Sequence, residues 1–175
     1  MDRCEHGSVV AYTSRWPIEK PSPGAGTREG AQSAKVALTR RMEVLARIPM
    51  FAGLSKRQLQ ALARACSSHR WPAGARIVAE GSNDQFCYVV VEGTVEVVRH
   101  GQSVAVLGPG EFFGEVALLD PGPRTATVMT ATEVVAVCLP RQGFVDVALK
   151  DPQVSLRMLG ALARRVREMT EQRSD

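Results

Sequence analysis

Gln85-Phe86-Cys87-Tyr88-Val89-Val90-Val91-Glu92-Gly93-Thr94-Val95-Glu96-Val97-Val98-Arg99-His100-Gly101 is the stretch that decides the fold. It holds two short runs rich in Val, Tyr and Thr, each closed by glycine, which is strand–turn–strand chemistry. Thr94 to Val97 alternates apolar and polar residues, as a strand with one wet face should. The same punctuation continues on both sides. Ala75–Glu80 ends at Gly81, and Ser103–Leu107 ends at Gly108-Pro109-Gly110; Thr125–Ala131 and Glu133–Leu139 follow. Six short strands with glycine turns predict a sandwich or small barrel, mainly β, over residues 67–140.

Helical periodicity flanks this region. Lys35 to Arg47 carries Val36, Met42, Val44 and Leu45 among arginines, and Pro49 stops it. Ser55-Lys56-Arg57-Gln58 has the form of a capping box opening a helix that runs through Cys66. After the strands, Arg141 to Leu149 predicts a short helix. Asp151-Pro152 then supplies an N-cap and a first-turn proline for a helix reaching about Met169. Leu159, Leu162, Val166 and Met169 form a seam on that helix. It serves either packing on its own domain or a homodimer. Residues 1–34, rich in Pro and Gly, read as a flexible tail, with 171–175 as a second.

The chain has 175 residues with net charge +4, 45% hydrophobic and 23% charged, an ordinary globular composition for one domain plus a tail. The charge is uneven. Residues 35–70 hold eight basic side chains and only Glu43, whereas 71–150 hold five basic and nine acidic. Arg40-Arg41 and Lys56-Arg57 read as solvated helix faces, so nucleic acid is not an expected partner. Cys4, Cys66, Cys87 and Cys138 are widely spaced, which suits a reducing compartment; with no leader or spanning pattern, the expectation is a cytoplasmic protein without membrane contact. His6, His69 and His100 are scattered, so no metal is expected, and no nucleophile–base pattern suggests an enzyme.

One segment interrupts the strands. Phe112-Phe113-Gly114-Glu115-Val116-Ala117-Leu118-Leu119 alternates poorly and reads as a helical turn inserted in the barrel wall. The start of such a turn presents backbone N–H groups that suit a phosphate. Gly114 and Ala117 are small enough to let a ligand approach the backbone. Arg124, across the loop, offers a fork of donors to phosphate oxygens. Glu115 would repel a phosphate it faced, so it makes sense as an acceptor for hydroxyls, such as those of a ribose. A ligand with both phosphate and sugar fits this pair; a bare Glu115–Arg124 ion pair on a ligand-free domain is the competing reading.

Phe113-Gly114-Glu115-Val116-Ala117-Leu118 followed by Arg124-Thr125-Ala126 resembles the phosphate-binding cassette of cyclic nucleotide-binding domains. That family includes catabolite activator proteins, protein kinase A regulatory subunits and cyclic nucleotide-gated channels. Ile77-Val78-Ala79-Glu80-Gly81 and Tyr88 to Gly93 are similar to the family's strand–glycine signature; Ser82, Asp84 and Cys87 depart from it. The resemblance covers about residues 45–170. It implies a jelly-roll barrel with N-terminal helices (35–66) and a C-terminal hinge and lid (141–170). It implies that Glu115 holds the ribose 2′-hydroxyl and Arg124 the cyclic phosphate. The amides of Gly114, Glu115 and Ala117 would complete the cradle, with Thr125 adding a hydroxyl. Phe113, Val116, Val97 and Val104 would be apolar neighbours of the ligand. Residues 159–167 would lid the base, with Arg164 or Arg167 stacking on it.

The ligand so implied is cAMP or cGMP, with cAMP favoured by an Arg-rich, bacterial-looking composition; Thr125 is compatible with either. The function implied is a regulatory receptor that passes nucleotide binding to a protein partner through its C-terminal helices. Two alternatives are a cAMP-responsive transcription regulator separated from its DNA-binding domain and a regulatory subunit of an enzyme. With the chain closing at Asp175, no room is expected for a helix-turn-helix or catalytic domain.

Overall fold

The computed structural model describes residues 32–33 and 35–171. The expected tail over 1–34 lies almost wholly outside the described residues. Its last part yields a two-residue strand, β1 (Gln32–Ser33). Helix α1 (Leu38–Ala46), a 3-10 turn (Pro49–Phe51) and helix α2 (Lys56–Ala65) follow. The capping box predicted for α2 is complete. Gln58 N–H donates to Ser55 Oγ at 3.3 Å, and Ser55 N–H donates to Gln58 Oε1 at 2.8 Å. The strands are β2 (Ser67–Trp71), β3 (Arg76–Val78), β4 (Phe86–Glu92), β5 (Val95–Arg99), β6 (Gln102–Leu107), β7 (Phe112–Phe113), β8 (Thr127–Thr130) and β9 (Val134–Pro140). Helices α3 (Arg141–Lys150) and α4 (Pro152–Glu171) close the described chain. Asp151 caps α4 as its position predicts, accepting from Gln153 N–H at 3.1 Å.

The strands form two antiparallel sheets, β1-β2-β9-β4-β7 and β3-β8-β5-β6. The jelly-roll expectation holds, but the barrel is not closed. Ladder pairing stays within each sheet, and side-chain packing joins them. Two cores explain this layering. Cys87, Val89 and Val91 of β4, with Val135, Val137 and Leu139 of β9, pack under Val44, Leu45, Ile48, Leu62, Phe144 and Val154 of the helices. The alternate residues Tyr88, Val90, Val134, Ala136 and Cys138 meet Ile77, Val78, Val95 and Val128 of the second sheet. Buried on both faces, β4 and β9 need continuous apolar runs rather than alternation.

Three strands carry irregular registers. The pairing steps from Arg76 to Val78, from Val90 to Glu92 and from Ser103 to Ala105 pass over Ile77, Val91 and Val104. Such bulges sharpen the local twist that curls a sheet. The β5–β6 hairpin turns through His100 and Gly101 with φ of 51° and 78°, the mirror-image geometry that matches strand twist. Glu80 secures that turn, accepting from His100 N–H at 2.9 Å.

Candidate functional site

The segment Phe112–Leu119 splits in two. Phe112 and Phe113 form β7, paired with Val89 and Tyr88 of β4, instead of joining the helical turn expected there. The backbone then reverses at Gly114, and Glu115–Leu118 forms one 3-10 turn. Gly114 has φ 78°, which L side chains rarely adopt. A Cβ there would overlap Arg124 Nη1 and lie 2.8 Å from Phe86 O, so glycine is demanded by both backbone and space. The loop after the turn leads back to the strands at Arg124. There Arg124 N–H donates to Ser82 O and Gly81 N–H donates to Arg124 O, both at 2.8 Å. This pairing holds the base of the arginine next to the turn after β3.

Arg124 is buried, with 9% exposure, and its side chain crosses to the cassette. Nη1 donates to Gly114 O at 3.2 Å. Nη2 donates to Asp84 Oδ1 and to Phe86 O, so the arginine's ion-pair partner is Asp84. Arg124 Nε is buried without a partner. A buried N–H with no acceptor is costly, and such a group in a native fold calls for an explanation such as a bound ion or water. An anionic ligand supplies one. The chemistry of the donor set therefore fits a phosphate.

The other predicted residues distribute as follows. Phe113 is buried and stacks on Tyr88, ring centroids 4.9 Å apart and 14° from parallel. Ala117 is buried, and its N–H is already used by Gly114 O at 3.3 Å, so it is engaged in the turn rather than held open for a ligand. Glu115 is half-buried and Thr125 is exposed. Val116 is 61% exposed. Val97 packs in the same core as Phe113, whereas Val104 stands in the bulge of β6 at 53% exposure. Burial drives the Cys87 thiol well above its usual range; Glu115 and Cys66 push it further up and Arg124 pulls it down.

Helix α4 leans on the Pro49–Phe51 turn through Val154, and Arg157 donates to Gly53 O. Of the residues expected to lid or stack, Leu159, Arg164 and Arg167 are exposed. The side chains of Leu162, Val166 and Met169 lie outside the described residues, so the seam is visible only at Leu159. Among the described residues, no cluster of three His, Cys, Asp or Glu could hold a metal, and no helix is long and apolar enough to cross a membrane.

Sequence reasoning missed Asp84, Tyr88 and the Phe86 carbonyl as parts of this site. A signal was present: Asp84 is the only Asp, Glu, Lys or Arg from Gly81 to Val91.

Residues 68–151 match the model of the cyclic nucleotide-binding domain. The chain belongs to this family. It is 32% identical over 138 residues to a CRP-like cAMP-activated global transcriptional regulator of Mycobacterium tuberculosis, covering 76% of this chain and 62% of that protein. It is 36% identical over 102 residues to a cAMP-dependent protein kinase regulatory subunit of Yarrowia lipolytica, covering 57% of this chain and 27% of the relative. Among solved structures, the N-terminal domain of a transcriptional regulator from Streptomyces coelicolor A3(2) superposes with a TM-score of 0.69 at 36% identity, over 74% of this chain and 94% of that one. The chain thus spans 62% and 27% of these two curated relatives, while matching 94% of an isolated domain.

Proposed function

We propose that this chain is a cAMP receptor whose occupied cassette signals to a protein partner through α3 and α4. The observation that carries the reading is the buried Arg124, fastened to Gly114 of the cassette with its Nε–H unmatched. A cyclic phosphate oxygen would complete that donor set, and Glu115, in the first turn after Gly114, would accept from a ribose hydroxyl. Thr125, exposed beside Arg124, adds a hydroxyl toward the ligand. Val97, Phe113 and Val116 line its apolar side, with Val104 on the exposed strand. Helix α3 links the site to the output. It packs by Phe144 in the helix-side core, and Asp151 at its end caps α4. cAMP is favoured over cGMP because the Mycobacterium tuberculosis regulator and the Yarrowia lipolytica regulatory subunit matched are both named for cAMP.

Calorimetric titration with cAMP and cGMP tests the reading, on wild-type protein and on Arg124→Ala. The variant removes the charge partner of the phosphate and costs about 2–5 kcal/mol of binding, on the order of 30-fold to several thousand-fold in affinity. Unchanged affinity in Arg124→Ala, or no binding of either nucleotide by wild-type protein, overturns it. A second reading, a cAMP-dependent transcription regulator, is favoured by the two bacterial regulators matched. A salt-sensitive, cAMP-dependent gel shift of the chain would support it.

A further inference from the structure

Strand β6 ends its sheet. In the order β3-β8-β5-β6 it pairs only with β5, so a row of its N–H and C=O groups faces outward. Gln102 to Val106 are all exposed, Val104 at 53% and Val106 at 64%. Edge strands of soluble proteins are commonly guarded by a charge, a proline, very short length, a bulge or a covering element. The opposite edge, β3, follows that rule: it is three residues long, opens on Arg76, and buries Ile77 and Val78. Strand β6 does not. Gln102-Ser103-Val104-Ala105-Val106-Leu107 has six residues, no charge and no proline, and its exposure leaves no described element covering it. The bulge at Val104 is the one guard present.

We propose that β6 pairs antiparallel with β6 of a second copy of this chain, joining the two edge-to-edge sheets into one. A two-fold axis through Ala105 sets the register. It lays Val104 against the partner's Val106 and Val106 against the partner's Val104, so the exposed valines cover one another. The uncharged strand meets itself without like-charge repulsion. The ends are complementary. Gln102 stands opposite the partner's Gly108. Arg99 is the ladder neighbour of Gln102 on β5, and Glu111 folds back on Gly108, accepting from its N–H at 2.7 Å. Arg99 and Glu111 are exposed, and neither has an ion-pair partner among the described residues. The two-fold therefore brings Arg99 towards the partner's Glu111 at both ends of the strand pair. This complementarity favours β6 over Leu159 of α4, the other exposed apolar surface considered for a homodimer. A six-residue contact is about 20 Å long, smaller than a standard interface, so the pair is weak and reversible. It uses no residue of the cassette and stands apart from the receptor reading.

Sedimentation of the full chain over a concentration series reads the pairing. The proteins are wild type, Val106→Lys, Arg99→Glu, Glu111→Lys, Arg99→Glu with Glu111→Lys, and Leu159→Lys. Wild type should dimerise reversibly at concentrations on the order of 100 µM. Val106→Lys places a charge on the edge and should weaken the dimer at least about tenfold. Each single charge reversal should weaken it about three- to tenfold, and the double reversal should return to within about threefold of wild type. Leu159→Lys should stay within about twofold of wild type. Amide exchange within 102–107 should slow as wild-type concentration rises and should not do so in Val106→Lys. A wild-type chain that stays monomeric up to about 1 mM overturns the proposal. So does a dimer kept by Val106→Lys and lost in Leu159→Lys, which moves the interface to α4. Charge reversals that fail to compensate overturn the register and the proposal with it. Should Val106→Lys fail to fold, the charge-reversal arm decides.

Discussion

Gly114→Ala and Gly81→Ala form a matched pair. Both glycines have φ 78°. An alanine in that conformation costs about 1–2 kcal/mol from its Cβ alone. At Gly81 nothing lies within 4 Å of the added carbon, so this backbone cost is the whole expected effect. At Gly114 the added carbon overlaps Arg124 Nη1, lies 2.8 Å from Phe86 O and lies 3.1 Å from Arg124 Cζ. The carbonyl belongs to β4 and cannot retreat, so the arginine must. Overpacking of this kind adds about 1–3 kcal/mol. Gly114→Ala should therefore lose about 2–5 kcal/mol of stability and Gly81→Ala about 1–2. Binding separates the two further. With Arg124 displaced, Gly114→Ala should lose at least about 30-fold in cAMP affinity, whereas Gly81→Ala should stay within about threefold of wild type. Urea denaturation followed by calorimetry of each variant measures both quantities. Equal destabilisation with equal, near-wild-type affinity would refute the close approach of Arg124 to Gly114.

Other expectations concern the frame. Ser55→Ala removes an acceptor of the capping box and should cost about 1 kcal/mol in urea melts. Gly143→Ala places a carbon 2.7 Å from the Ala65 Cβ and should lower stability by about 1–3 kcal/mol as α3 is forced off α2. Burial pushes the Cys66 thiol from 9.0 up to about 12, against a smaller downward pull from Arg41. Above pH 9.0 the unfolded thiol ionises while the folded one keeps its proton. Stability should thus fall by about 1.4 kcal/mol per pH unit between those two values, and the fall should be shallower by that amount in Cys66→Ala.

The readable parts of this chain were those whose physics is local. Ser55 and Gln58 are three residues apart, and Asp151-Pro152 is adjacent, so both helix starts were visible as residue patterns. Glycine punctuation marked four of the six predicted strands for the same reason. Strand β2 was less legible because Ser67-Ser68-His69-Arg70 is polar; its place comes from pairing with β9, more than sixty residues away. Strand β7 has only two residues, too few for any period. The cassette stood out because its small and charged residues are contiguous, and Arg124 follows within ten. Asp84 did not, because its meaning depends on a partner forty residues later. The open barrel also lay beyond the pattern, since alternation predicts which face is buried and not whether edge strands meet.

The Gln58 carboxamide has one more role. Its oxygen accepts from Ser55 N–H, and its nitrogen donates to Asp151 Oδ2 at 2.6 Å. One side chain therefore rivets the start of α2 to the start of α4. A rivet permits swing and resists sliding. The far end of α4 can sweep an arc at the expense of the Arg157–Gly53 contact, while its root stays pinned beside α2. Whatever α4 transmits would then be transmitted as an angle, with Asp151 as the pivot and the length of the helix as the lever arm.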